Sequence, residues 1–188
     1  MKDKVKFRFS GRGGQGIKFL GSALVRVAML AKYHATLSVD YTPSVRGGPI
    51  FCDVVLSDNP ISYPYCDGDA DFFLAIDQKG FERATECTGE TTTSFIDSDS
   101  IDDTAEKVIK SPLHRIPITK RADETKMTGS VNILSLGFLS EHLKKKKAIN
   151  LTEDQYIQVF KSMRNSENNI KTFQIGKDLY NEIFGNTA

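Results

Sequence analysis

An α/β fold is what this sequence predicts, and three observations predict it. An alternating apolar run, Val5 to Phe9, feeds a glycine loop, Gly11-Arg12-Gly13-Gly14-Gln15-Gly16, which opens directly into apolar positions at helical spacing (Ile17, Leu20, Gly21, Leu24, Val27, Ala28, Ala31). Asp71 to Asp77 (D-F-F-L-A-I-D) is a nearly continuous apolar run, the pattern of a strand buried on both faces of a parallel sheet. From Gly129 the chain turns helical to its end, first in a stretch apolar almost all round (Val131, Ile133, Leu134, Leu136, Phe138, Leu139, Leu143). Together these predict a Rossmann-like three-layer domain, a mostly parallel sheet with an added β-hairpin and C-terminal helices. The 188 residues suit a single domain spanning 1–188.

The glycine loop is the candidate site. Strand, glycine turn and helix follow in the order that G-x-G-x-x-G requires, with Gly11 expected to turn tightly, Gly13 to clear room for a ligand, and Gly16 to let helix and strand pack closely. A phosphate would rest at the helix N-terminus, where the first amides lack intrahelical partners and the macrodipole is positive; Arg12 and Lys18 add charge there. The plain alternative is a turn that merely connects strand to helix.

The remaining elements follow in chain order. Ala35 to Val39 is a short strand ending in Asp40, and Tyr41-Thr-Pro-Ser-Val-Arg-Gly-Gly-Pro49 is punctuated as an ordered loop by two prolines and a Gly-Gly pair. Phe51 to Leu56 and Ile61 to Tyr65, joined by Ser57 to Pro60, read as a β-hairpin. A helix over Gln78 to Thr85 follows the apolar strand, and Glu90 to Asp97 and His114 to Thr119 add two strands. Gly137 permits a close helix crossing, and Lys144 to Lys147 complement the dipole at a solvated helix end. Thr152 and Gln155 form a capping box for the next helix; Asn168 or Asn169 caps the last, with Gly185 as its stop.

A net charge of +1 argues against a nucleic-acid groove or a polybasic membrane surface. No apolar run approaches the roughly 20 residues of a membrane span, and the cytoplasm is the default location. Cys52, Cys66 and Cys87 are odd in number and never in a C-x-x-C pair, which disfavours a disulfide framework, a zinc site or an iron–sulfur site and favours buried thiols. His34, His114 and His142 lie far apart, outside metal-ligand spacing, and read as surface or satisfied histidines. The Gly-Asp-Gly start of the thiamine diphosphate motif is missing, since Asp67-Gly68-Asp69 has the letters in another order. A small NAD(P)-binding reductase needs Asp40 as the ribose-bonding acid, at a spacing longer than usual. Arg46 beside Gly47-Gly48 offers a planar guanidinium next to approachable backbone, suited to phosphate or carboxylate. Both loops follow strands, so they are expected at one carboxyl edge of the sheet, forming one site.

G-R-G-G-Q-G, then Tyr41-Thr-Pro-Ser-Val-Arg-Gly-Gly-Pro49, the stretch Phe51 to Tyr65, Asp71 to Asp77 and the Val131-Asn-Ile-Leu-Ser-Leu-Gly137 helix together resemble the gamma subunit of 2-oxoacid:ferredoxin oxidoreductases over nearly the whole chain. Tyr63-Pro-Tyr65 is most similar to the 2-oxoglutarate-type branch, with pyruvate-type enzymes its kin. The resemblance implies a complex that decarboxylates a 2-oxoacid on thiamine diphosphate, passes electrons through iron–sulfur clusters to ferredoxin and transfers the acyl group to coenzyme A. It implies alpha, beta and ferredoxin-like delta partners that carry the thiamine and the clusters, with none in this chain. It further implies that this subunit helps hold coenzyme A through Gly11, Arg12, Gly13, Gly14, Gln15 and Gly16, with Tyr41, Arg46, Gly47 and Gly48 as second contributors and no catalytic or metal-binding residue. Related readings are the beta subunit of indolepyruvate:ferredoxin oxidoreductase, which shares the glycine signature, and a purely structural assembly subunit. Phe51, Tyr63 and Tyr65 are the expected partner-facing residues.

Overall fold

The computed structural model describes residues 4–41, 47–66, 68 and 70–185. In chain order these form β1 (Lys4–Arg12), α1 (Ile17–Leu30), β2 (His34–Tyr41), β3 (Pro49–Ser57), β4 (Phe72–Ala75), α2 (Gln78–Ala84), β5 (Thr93–Asp97), α3 (Ala105–Val108), β6 (Leu113–Ile116), α4 (Ile118–Glu124), α5 (Val131–Lys146), α6 (Glu153–Lys161) and α7 (Ser166–Phe184). The strands make one sheet in the order β2-β3-β1-β4-β5-β6. β1, β4, β5 and β6 run parallel, whereas β3 is antiparallel to both β1 and β2.

The alternation of β1 explains the layers. Val5, Phe7 and Phe9 point to one face, where a large core forms with Leu20, Leu24 and Val27 of α1, Leu134 and Phe138 of α5, and Phe173 of α7. The other face carries a smaller core of Phe73, Ala75, Phe81, Ile96 and Ala105 under α2 and α3. Helices thus cover both faces of the sheet, the expected three-layer α/β arrangement. Phe72 to Ala75 are buried on both sides, as the unbroken apolar run requires.

The helical end of the molecule is built on a glycine crossing. A Cβ at Gly137 would lie 2.9 Å from the Phe173 carbonyl carbon, and one at Gly176 would lie 2.9 Å from that of Leu134, so α5 and α7 meet backbone to backbone. The capping box of α6 is present, with Gln155 Oε1 accepting the Thr152 N–H at 2.8 Å.

Several expectations need correction. The hairpin is formed one element earlier: β3 pairs with β2 and β1, and Ile61 to Tyr65 is irregular. Pairing with two neighbours saturates β3, so the following segment has no free edge to join and instead folds over the sheet, where the Cys66 N–H bonds Asp53 at 2.9 Å. The expected strand His114 to Thr119 ends at Ile116, because Pro117 supplies no N–H and starts α4. The last helix begins at Ser166 after a left-handed Asn165, so Asn168 and Asn169 lie within it; Asn169 bonds back to the Arg164 carbonyl at 3.0 Å.

Candidate functional site

The glycine loop sits at the carboxyl edge of the parallel strands, between the end of β1 and the start of α1. β1 runs two residues beyond Ser10 because β3 provides partners for both, Ile50 opposite Gly11 and Pro49 opposite Arg12. Gly11 is therefore strand and does not turn the chain. Its role is close approach: a Cβ on it would lie 2.7 Å from Gln15 Oε1 and 2.8 Å from Ile17 Cδ1, and Gly80 of α2, itself without a Cβ, packs against its backbone. The turn is made by Gly14 (φ 100°) and Gly16 (φ 76°), conformations that favour glycine. Gly16 is also the N-cap of α1 and has the left-handed form.

Gly13 joins the two glycine segments. Its N–H donates to the Gly48 carbonyl at 2.8 Å, and a Cβ on it would stand 3.3 Å from the Gly47 Cα. The expectation that both loops share one edge holds for Gly47 and Gly48; Arg46 lies outside the described residues. Tyr41 ends β2 opposite Ile50 and is 60% exposed beside this edge. Gln15 braces the turn from within: its Oε1 accepts the Arg12 N–H at 2.8 Å, and its Nε2 donates to the Ile76 carbonyl at 3.4 Å. The Gln15 amide is thus spent on the protein, and what the loop offers a ligand is its backbone.

The electrostatics favour an anion. Among the described residues no side chain caps α1, and its first turn carries no acid, so its first amides face the loop at the positive end of the dipole. Arg12 lies exposed with its Nε 3.6 Å from Asp77 Oδ2, and among the described residues no carboxylate pairs with Lys18. Arg12, Gly13, Gly14, Gly16 and Lys18 line a cleft of ≈ 500 Å³ together with Phe19, Ser22 and Ile50, a size common for small-molecule sites. The sequence pattern did not single out these last three: Phe19 and Ser22 come from α1 itself, and Ile50 joins them because β3 lies antiparallel beside β1.

Asp40, the acid that a nicotinamide reading needs, is ion-paired to Arg83 of α2 at 2.6 Å. It lies opposite Phe51, beside which Arg83 also sits, on the face of the sheet away from Ile50 and the cleft. Beneath the same ring, buried Arg8 holds buried Asp53 through two bonds of 2.7 and 2.8 Å and stacks on Phe51 at 4.3 Å. Burial is the largest single influence and works against the Arg8 charge, but the Asp53 bonds and the other groups around it together outweigh burial, and its pKa rises. The three cysteines are buried thiols; burial pushes all of them up, Cys87 to about 12, so they stay protonated.

The histidines divide. His34 is exposed, and His114 is half-buried against Phe95. His142 departs from expectation: it is buried among Phe72, Phe95 and Tyr180, its Nε2 has no hydrogen-bond partner among the described residues, and burial together with nearby Lys146 lowers its pKa to about 4. Phe51 is half-covered by the arginines, whereas Tyr63 and Tyr65 are exposed and pack edge to face at 5.4 Å. One contact was not assigned from sequence. Asn132, a polar residue at the start of the apolar α5, donates from Nδ2 to the Gly16 carbonyl at 3.3 Å; an amide inside an apolar run was the available signal.

Residues 6–179 match the family described as pyruvate ferredoxin/flavodoxin oxidoreductase. The chain belongs to this family. It is 30% identical over 142 residues to the 2-oxoglutarate synthase subunit KorC of Methanocaldococcus jannaschii, a match covering 74% of this chain and 75% of the relative. To KorC of Archaeoglobus fulgidus it is 26% identical over 180 residues, covering 95% and 89%. The solved gamma subunit of a keto/oxoacid ferredoxin oxidoreductase from Geobacter sulfurreducens has the same fold, with a TM-score of 0.74, 22% identity and coverage of 95% of this chain and 97% of that one. A 2-oxoglutarate:ferredoxin oxidoreductase from Magnetococcus marinus, determined with 2-oxoglutarate, coenzyme A and succinyl-CoA bound, aligns with a TM-score of 0.79 at 24% identity, over 97% of this chain and 32% of that longer one. This chain is accordingly a subunit of the 2-oxoacid:ferredoxin oxidoreductase type, with the fold of the solved gamma subunit. Among the described residues no helix is long and apolar enough to cross a membrane.

Proposed function

We propose that this gamma-type subunit helps hold coenzyme A for the complex, with the diphosphate on the glycine loop. The observation that carries the reading is the acid-free N-terminus of α1, without a side-chain cap among the described residues, bonded through Gly13 to the Gly47-Gly48 segment and flanked by Arg12 and Lys18. Amides that point outward from a helix start give a diphosphate fixed partial charges without having to reorganise. Phe19 and Ile50 offer apolar wall to the less polar parts of the same ligand. The relative from Magnetococcus marinus, whose structure contains coenzyme A, lends support by its fold.

In this reading the 2-oxoacid is decarboxylated on thiamine diphosphate held by the alpha and beta partners, and electrons leave through clusters toward ferredoxin, with a ferredoxin-like delta chain among the subunits. The gamma chain contributes position and charge: it holds the thiol carrier while the acyl group is transferred elsewhere. Tyr63 and Tyr65, exposed as a pair, suit burial against a partner.

Gly14→Val tests this reading. Its side chain would project into open space in front of the loop, from a backbone at φ 100° that β-branched residues avoid. Steady-state kinetics of the reconstituted complex should show a raised KM for coenzyme A with 2-oxoacid binding and the first electron transfer intact. An unchanged KM in an assembled complex would remove the loop from the coenzyme A site.

A further inference from the structure

We infer that Asn132 is a positioning residue of the glycine-loop site: from the first turn of α5 its carboxamide pins the Gly16 carbonyl and so sets where the first amides of α1 point. Its kinetic consequence rests on the coenzyme A reading; the pinning rests on the contacts alone. The Gly16 carbonyl accepts two bonds, one from Leu20 N–H at 2.9 Å that begins the helix and one from Asn132 Nδ2 at 3.3 Å. A Cβ on Gly16 would lie 2.9 Å from Asn132 Cγ and nearer still to Nδ2, so the amide also fills the space beside the left-handed glycine. Asn132 is 8% exposed, and α5 is itself immobilised by its glycine crossing with α7. The loop is therefore tied to a rigid helix.

The residue type carries information. A helix start favours a carboxylate, and α6 and α7 have acids in their first turns, Glu153, Asp154 and Glu167. α1 and α5, which meet at this loop, have none, like α2 and α4. An aspartate at 132 would fit the helix dipole, but it would have no proton to give Gly16 and would place negative charge beside an anion site. A neutral donor meets both requirements.

The isosteric Asn132→Asp variant separates positioning from support of the helix. In the full chain, hydrogen exchange of the bonded amides around the loop, those of Gly13, Gln15 and Leu20, should speed up, while the chain stays folded because the new acid suits the N-terminus of α5. In the reconstituted complex the KM for coenzyme A should rise about tenfold, with a smaller change in kcat, as expected for loss of one positioning hydrogen bond. Asn132→Ser, which keeps a donor on a shorter arm, should fall between, and serves if the aspartate variant does not assemble. Unchanged exchange at Gly13, Gln15 and Leu20 would overturn the inference. So would a raised KM in Lys18→Gln with none in Asn132→Asp. Faster exchange with no change of KM in either variant would instead remove the coenzyme A reading and leave the pinning in place.

Discussion

Replacing Gly137 by alanine adds one methyl group at the point where α5 and α7 touch. That carbon would stand 2.9 Å from the Phe173 carbonyl carbon, closer to its oxygen, and 3.2 Å from the Gly176 Cα. All three are backbone atoms, which no rotamer change can move. The helices must part by more than about 1 Å before the contact becomes ordinary, loosening the ring packing of Phe138 against Tyr180 and Phe184. Overpacking of this kind costs about 1–3 kcal/mol, and here the upper end applies because backbone meets backbone. Helix propensity offsets about 1 kcal/mol of it. The net loss of about 2 kcal/mol corresponds to a fall in Tm of about 4–8 °C for a chain of this size. Gly129→Ala is the internal control, since a Cβ there meets nothing within 4 Å, and its stability should stay within about 0.5 kcal/mol of the parent. Thermal and urea denaturation of both variants measure the difference. A Gly137→Ala protein as stable as the control would refute the close crossing, and with it the rigidity of α5 on which the pinning of the glycine loop depends.

Asp53→Asn leaves the Arg8 guanidinium buried with a weakened partner, and should destabilise the chain by about 3–5 kcal/mol in urea denaturation; a loss below about 1 kcal/mol would show that the pair contributes little. His142 predicts a pH dependence. Its folded pKa of about 4 lies below its ordinary 6.5, so between these values the unfolded chain binds more protons, and stability falls as pH drops through that window and levels off below it. The full loss is on the order of 3 kcal/mol, most of which His142→Phe should abolish in denaturation curves at pH 7 and pH 4.5. An identical pH slope in that variant would contradict the assignment.

The elements with internal periodicity were legible. The β1–loop–α1 unit, the doubly buried β4 and the apolar α5 with its glycine contact each followed from spacing, because burial on one face, two faces or all round leaves a direct trace in the sequence. The hairpin was misplaced because the apolar make-up of Phe51 to Leu56 says that a strand exists but not which neighbour it pairs with; β2, upstream, took that edge. The glycine roles shifted for a related reason. The motif marks where glycine is needed, yet only pairing with Pro49 and Ile50 decides that Gly11 and Arg12 are strand while Gly14 and Gly16 make the turn. At the site, the partnership of the loop with Gly48 was foreseen from topology. Phe19, Ile50 and Asn132 were not, since contacts across 116 residues, as between Gly16 and Asn132, leave no local pattern.

The central claim, that the start of α1 is a coenzyme A site, is tested most directly by equilibrium titration of coenzyme A against the assembled complex carrying Arg12→Gln and Lys18→Gln together. Both side chains are exposed beside the loop, so their removal leaves the fold intact while withdrawing the two charges nearest the proposed diphosphate. Because both side chains are exposed to solvent, the two charges together are worth about 1.5–3 kcal/mol, and the affinity should fall about ten- to a hundredfold, and less at high salt. An affinity within about twofold of the parent complex at low salt would contradict the account.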